Sequence, residues 1–127
     1  MSRYRQHRRC SAWTSRDMPT RLSLWFHVKH EGWAEAGSAF GVPLDPHQAE
    51  LLSAYESLLI ERALPLGMVA EADAPRLRER HILDCLRAAA HVAAAQTAYD
   101  LGSGAGLPGI PLAIAAPALE VTLVETR

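Results

Sequence analysis

Cysteine is scarce. The 127 residues contain two, Cys10 and Cys85, with no C-x-x-C pair and no His/Cys ligand spacing around either. That excludes a disulfide scaffold or a zinc site as the organising feature and makes a reducing cytosol the default setting. Aromatic residues are few, at 6% of the chain, whereas 49% hydrophobic and 21% charged residues exclude a disordered or collagen-like polymer and allow one modest domain. A membrane span is also lacking. The longest uncharged stretch, 101–119, is broken by four glycines and three prolines and consists mostly of small residues with little transfer energy.

The net charge of −1 conceals an asymmetry: residues 1–30 carry seven Lys/Arg and one acid, and residues 31–127 carry six Lys/Arg and thirteen acids. A basic front with Tyr4, Trp13, Trp25 and Phe26 suits nucleic acid, through counterion release and base stacking. An Arg- and Ser-rich segment without apolar periodicity describes a disordered tail better, and that is the expectation for residues 1–32. An organellar transit peptide ranks third, because no amphipathic stripe accompanies the arginines. Phe26-His27-Val28-Lys29-His30 admits codons containing the palindrome TTTCACGTGAAA. Either that segment reflects selection on DNA, with residues 1–25 read from an upstream start codon, or the match is coincidence.

Patterned sequence begins at Trp33. A short helix is expected through Phe40, ended by Gly41 and followed by Val42-Pro43. Asp45, Pro46 and Gln48 then form a helix start: an N-cap, a proline at the first helical position and a capping-box partner. Leu51, Leu52, Tyr55, Leu58 and Leu59 follow as one apolar face. Pro65 and Gly67 punctuate a loop. Asp73 and Pro75 open a third helix with Ile82, Leu86, Ala89, Ala90 and Ala93 on its apolar side. Its polar side, Arg80, Asp84, Arg87 and His91, allows Arg80–Asp84 and Asp84–Arg87 pairs, each stabilising an exposed helix by only ~0.2–0.5 kcal/mol. Residues 33–95 thus read as a helical extension.

Residues 96–127 read as a β-α-β unit: a strand over 97–101, a glycine loop over 102–109, a helix from about Ile110 to Ala116, and a strand over 121–125. Such strands are parallel, and their sheet has helices on its faces. Alternate glycines let the main chain turn sharply and let a ligand approach it. Gly104-x-Gly106-x-x-Gly109 formally fits a dinucleotide fingerprint, and Glu125 lies near the spacing at which an acid reaches an adenosine ribose. Pro108 and Pro111 argue against a pyrophosphate, since they remove two N–H donors from the helix start. Asp100 beside the turn repels a diphosphate and favours a cation. A phosphate-free, cationic adenosine derivative, S-adenosylmethionine, fits these features.

The string Asp100-Leu-Gly-Ser-Gly-Ala-Gly-Leu-Pro-Gly-Ile-Pro-Leu-Ala-Ile-Ala, followed by Val121-Thr-Leu-Val-Glu125, resembles the bacterial 16S ribosomal RNA guanine-N7 methyltransferases, also called glucose-inhibited division protein B. Arg80-His81-Ile82-Leu83-Asp84-Cys85-Leu86 is similar to that family's Arg-His-x-x-Asp-Ser-Leu segment, with Cys85 in place of serine. The resemblance covers roughly residues 40–127. It implies an α/β fold: N-terminal helices followed by the start of a Rossmann-like S-adenosylmethionine-dependent methyltransferase domain. It also implies cofactor contacts at Gly102 and Leu107, with Asp100, Gly104, Gly106 and Glu125 around them. Arg80, His81 and Asp84 are candidates for RNA contact, for bracing the loop, or for purely structural pairing.

Two departures stand out. Pro65-Leu66-Gly67 replaces the Asn-Leu-Thr of many members, and the sequence stops two residues after Glu125, where such folds need further strands. An incomplete fold is therefore expected, with an unpaired edge on its second strand. The implied activity is guanine-N7 methylation of 16S ribosomal RNA in the cytoplasm, exercised as part of a longer enzyme, with the RNA or the small ribosomal subunit as partner and no membrane. No residue is assigned to catalysis and no metal is called for. The alternatives are an inactive fragment or RNA-binding remnant, and a dinucleotide-dependent oxidoreductase.

Overall fold

A computed structural model describes residues 11–14 and 32–126. Tyr4, Cys10, Trp25 and the pentapeptide 26–30 lie outside the described residues, and Trp13 is described by its backbone alone. Strand β1 (Ser11–Thr14) precedes helices α1 (Trp33–Ala39) and α2 (Pro46–Leu58). A π-helical turn, Leu59–Ala63, continues α2; a 3-10 turn, Glu71–Arg76, and a second π-helical turn, Arg78–Ile82, lead into α3 (Leu83–Val92). Strand β2 (Thr97–Leu101), helix α4 (Gly109–Ala115) and strand β3 (Glu120–Glu125) complete the chain. No helix of the described residues is long and apolar enough to cross a membrane.

The start of α2 forms as its residues dictate. Asp45 accepts from the Gln48 N–H at 2.8 Å, the Asp45 N–H donates back to Gln48 Oε1 at 2.8 Å, and Pro46 sits where no donor is needed. Gln48 does more than cap. Its buried Nε2 donates to the Ile114 carbonyl at 2.8 Å, fastening α2 to the end of α4. The third helix departs from expectation, arriving as three pieces. The Asp73 carboxylate is held by Arg80 at 3.0 Å and His81 at 3.1 Å, so it ties two turns together and leaves no side-chain cap. Arg80 consequently pairs with Asp73 and not with Asp84, which takes Arg87 at 2.6 Å.

Two apolar clusters meet at α4. Trp33, Leu52, Leu59, Leu77, Ile82 and Leu86 bury the helical extension, joined by Ile114 from α4. Val42, Ala89, Leu112, Leu119 and Val121 bury the sheet side. Each fully buried aliphatic side chain is worth ~1.5–3 kcal/mol. Leu58, Ala90 and Ala93, expected on buried faces, are exposed: Leu58 stands at the last residue of α2, Ala90 at the edge of its stripe, and Ala93 just past the end of α3.

Strands β2 and β3 pair in parallel, Tyr99 opposite Thr122 and Leu101 opposite Val124. The sheet order is β1-β3-β2, with β1 antiparallel to β3. This corrects the expected free edge on β3, which β1 occupies from within a segment read as tail. It also corrects the expectation of two covered faces. Ala98 and Asp100 turn inward, whereas Tyr99 and Leu101, on the opposite face, are 70% and 76% exposed.

Candidate cofactor site

Strand β2 runs directly into the glycine loop. The N–H groups of Gly102 and Ser103 both donate to the Val124 carbonyl, at 2.8 and 3.2 Å, so the loop hooks over the end of β3. Gly102 (φ 77°) and Gly104 (φ 51°) adopt the left-handed conformation that lets the chain reverse there. Around them lies open space: a Cβ on Gly102 would meet nothing within 4 Å, and one on Gly104 only the Gly102 carbonyl at 3.9 Å. Gly106 and Gly109 are glycines for a different reason. Side chains fill their surroundings, Ile110 and Tyr55 at Gly106, and Leu123 and Asp100 at Gly109. Gly106, grouped by spacing with the ligand contacts, turns its α-carbon into the protein, and its N–H donates to the Ser103 carbonyl at 2.7 Å.

Two carboxylates grip this loop. Asp100, half-buried, accepts from the Gly109 N–H at 2.9 Å and so ties the end of β2 to the start of α4. Glu125 reaches back from the end of β3 and accepts from the Gly104 N–H at 2.9 Å, twenty-one positions earlier. Its other oxygen accepts from the Thr126 N–H at 2.7 Å. Each ionised carboxylate oxygen can accept more than one hydrogen bond.

The start of α4 offers nothing to a phosphate. The Gly109 N–H is taken by Asp100, Ile110 donates to the Gly106 carbonyl at 2.8 Å, Pro111 has no N–H, and Leu112 donates to the Pro108 carbonyl at 3.1 Å. A dinucleotide pyrophosphate binds through exactly such donors.

Behind the loop stands Tyr55, which the sequence marks only as one member of an apolar stripe. Its hydroxyl donates to the Ala105 carbonyl at 3.0 Å, bracing the loop from α2. Burial pushes the phenol well above its ordinary range, helped by the neighbouring charges of Cys85 and Asp100. Burial likewise pushes the Cys85 thiol up to about 11, with Asp84 and Asp100 adding to the shift; the thiol donates to the His81 carbonyl at 2.9 Å. The only hint of Tyr55's role in the sequence was that a buried phenol needs an acceptor. Leu107 packs its side chain against the helical cluster. Arg80, His81 and Asp84 make their side-chain bonds to Asp73 and Arg87, so among the described residues their polar contacts are surface pairs and the bracing falls to Tyr55 and Asp100.

The family model for rRNA small subunit methyltransferase G matches residues 48–127, from the capping Gln48 through the glycine loop and both carboxylates. The chain is 40% identical over 108 residues to the ribosomal RNA small subunit methyltransferase G of Rhodococcus jostii, covering 79% of this chain and 45% of that protein. Against the protein of the same name from Corynebacterium diphtheriae it is 41% identical over 102 residues, covering 80% and 44%. With that of Salinispora tropica it shares 45% over 75 residues, covering 59% and 31%. The chain therefore spans less than half the length of these curated relatives. Matched over most of its length, including every residue of the loop and its two acids, it belongs to the rRNA small subunit methyltransferase G family.

Proposed function

We propose that this chain forms the adenosine-binding part of an S-adenosylmethionine-dependent methyltransferase that modifies guanine N7 in 16S ribosomal RNA, acting in the cytoplasm on the RNA or the small ribosomal subunit. The observation that carries this reading is the Glu125 carboxylate at the Gly104 N–H beside the open main chain of Gly102 and Gly104. Glu125 would hold the ribose hydroxyls, while Gly102 and Gly104 let the ligand lie against the backbone. Asp100 would keep the loop on α4 and contribute negative potential. When bound, adenosylmethionine supplies a methyl group carried on a cationic sulfur.

The chain's residues would then have little chemistry to perform. Guanine N7 carries an available lone pair, so no proton has to be removed and no general base is required. The contribution of the protein is to hold acceptor and methyl carbon in line, within about 3–3.5 Å, and proximity of this kind can supply most of the acceleration. The names of the relatives support ribosomal RNA as the substrate.

Titration calorimetry with adenosylmethionine and with NADH tests the cofactor reading. Adenosylmethionine is expected to bind and NADH not to bind, and Glu125→Ala is expected to weaken adenosylmethionine at least tenfold. Preference for NADH, or indifference to Glu125→Ala, sinks the proposal. A second reading has its own support: Tyr99 and Leu101 stand uncovered on one face of the sheet, which suits a unit that binds a partner there without catalysing. Methyl transfer to 16S RNA by this chain, against transfer by a chain of the relatives' full length, separates the two.

A further inference from the structure

An apolar groove of about 270 Å³ is bordered by Tyr55, Leu58, Arg62, Leu66, Met68 and Gly104. We propose that this groove seats the methyl-accepting nucleobase, unstacked from single-stranded RNA, with Arg62 meeting an adjoining phosphate. The proposal rests on the methyltransferase reading and extends it to the second substrate.

Three observations point there. First, the groove and the adenosine site share a wall: Gly104 lines the groove while its N–H faces Glu125, and no side chain fills the space beside its α-carbon. A ring in the groove would thus lie against the same loop that would hold the nucleoside. Secondly, the walls suit a flat heterocycle. Leu66 and Met68 are 73% and 49% exposed, Leu58 joins them, and the polarizable thioether of Met68 makes favourable contacts with aromatic rings. Bases that undergo chemistry leave their stack and lie between apolar side chains in this manner. Thirdly, the charge at the rim is available. Arg78, Arg80 and Arg87 are each paired with a carboxylate, whereas Arg62 has no ion pair among the described residues. Arg62 also sits in the π-helical turn Leu59–Ala63, a backbone irregularity frequent at functional sites.

Fluorescence anisotropy with a short fluorescein-labelled, guanosine-containing single-stranded RNA, and with its base-paired duplex, tests the assignment. Leu66→Asp, Met68→Asp and Arg62→Glu alter exposed side chains and are expected to weaken single-strand binding at least tenfold. Adenosylmethionine affinity, measured by calorimetry, is expected to stay within twofold. Leu101→Asp, on the open sheet face, is the control and should leave RNA binding unchanged. Photocrosslinking of 6-thioguanosine-substituted RNA should label peptides containing Leu66 or Met68. The proposal is overturned if the parent chain binds no single-stranded RNA, if the groove variants bind it as well as the parent, if Leu101→Asp weakens it equally, or if crosslinks fall elsewhere. Groove substitutions that dissolve a self-associated form in sedimentation, without touching RNA affinity, would assign the groove to a second copy of the chain. Loss of adenosylmethionine binding by the parent would instead strike at the underlying methyltransferase reading.

Discussion

The four glycines of the loop divide into two kinds, and alanine substitution distinguishes them. At Gly109 an added methyl would overlap the Leu123 side chain and stand 2.7 Å from the Asp100 carboxylate oxygen that accepts the Gly109 N–H. Overpacking of this kind costs about 1–3 kcal/mol. Displacing Asp100 forfeits part of a charged hydrogen bond worth ~1.5–3 kcal/mol. Gly109→Ala should therefore lose about 3 kcal/mol of stability, a large share of what a domain of this size possesses. Gly102→Ala meets no atom within 4 Å and bears only the strain of its left-handed backbone, ~1–2 kcal/mol. Its methyl, however, projects into the space assigned to the ligand. Urea unfolding followed by circular dichroism should rank Gly109→Ala well below Gly102→Ala. Calorimetry should show Gly102→Ala, although folded, losing at least tenfold in adenosylmethionine affinity, about 1.4 kcal/mol. A Gly102→Ala protein that binds as tightly as the parent, or unfolds as easily as Gly109→Ala, refutes the division.

Gln48→Ala removes the bond to the Ile114 carbonyl and half of the capping box, and should cost about 2 kcal/mol in urea unfolding. Tyr55→Phe deletes only the hydroxyl that holds Ala105; a loss of ~1 kcal/mol is expected, with a several-fold weaker affinity for adenosylmethionine in calorimetry. The Cys85 thiol has an ordinary pKa of 9.0 and a folded value of about 11, so the folded state keeps its proton where the unfolded chain releases it. Stability from this source is complete below pH 9 and lost between about pH 9 and 11. Melting temperature should fall across that window, and Cys85→Ser, whose hydroxyl can still donate to the His81 carbonyl, should move the onset of the fall upward in pH.

Local chemistry was readable and long-range chemistry was not. Asp45, Pro46 and Gln48 announce the start of α2 because a cap is closed by residues three apart, and both strands around the glycine loop fall within a residue of where turn-formers and β-branched residues place them. Asp100 and Glu125 were identified by their spacing from the glycines. Their partners were not, because spacing does not say which N–H each carboxylate reaches. Tyr55 looked like any residue of an apolar stripe: its hydroxyl bond spans fifty positions, and no periodicity encodes it. Gln48's second bond, to α4, was hidden for the same reason. The pairing of Ser11–Thr14 with β3 is likewise non-local, and composition alone reads that segment as tail. Arg80 illustrates the opposite error. A helical i, i+4 rule offered it Asp84, but Asp73, seven residues back on the preceding turn, holds it instead.

Asp100 and Glu125 are chemically similar groups on neighbouring strand ends, each accepting one loop N–H at 2.9 Å, and burial separates their roles. The Asp100 bond is part-buried and surrounded by Tyr55, Cys85 and the Gly109 backbone, so breaking it would strand a charge and a donor away from water. The Glu125 bond lies at the exposed mouth of the loop, where water replaces a lost partner and the net strength is small. On the proposed reading, a ligand that took the place of the Glu125–Gly104 bond would cost the fold less than one that displaced Asp100 from Gly109. The helical extension enforces this division. Tyr55 holds Ala105 from behind and Gln48 holds the end of α4, so the loop is fastened on its buried side, and Gly102 and Gly104 are held by their own N–H bonds to Val124 and Glu125. On the proposed reading, binding energy gained at Glu125 would go to orienting the ligand, because the backbone it would lie against is already in place.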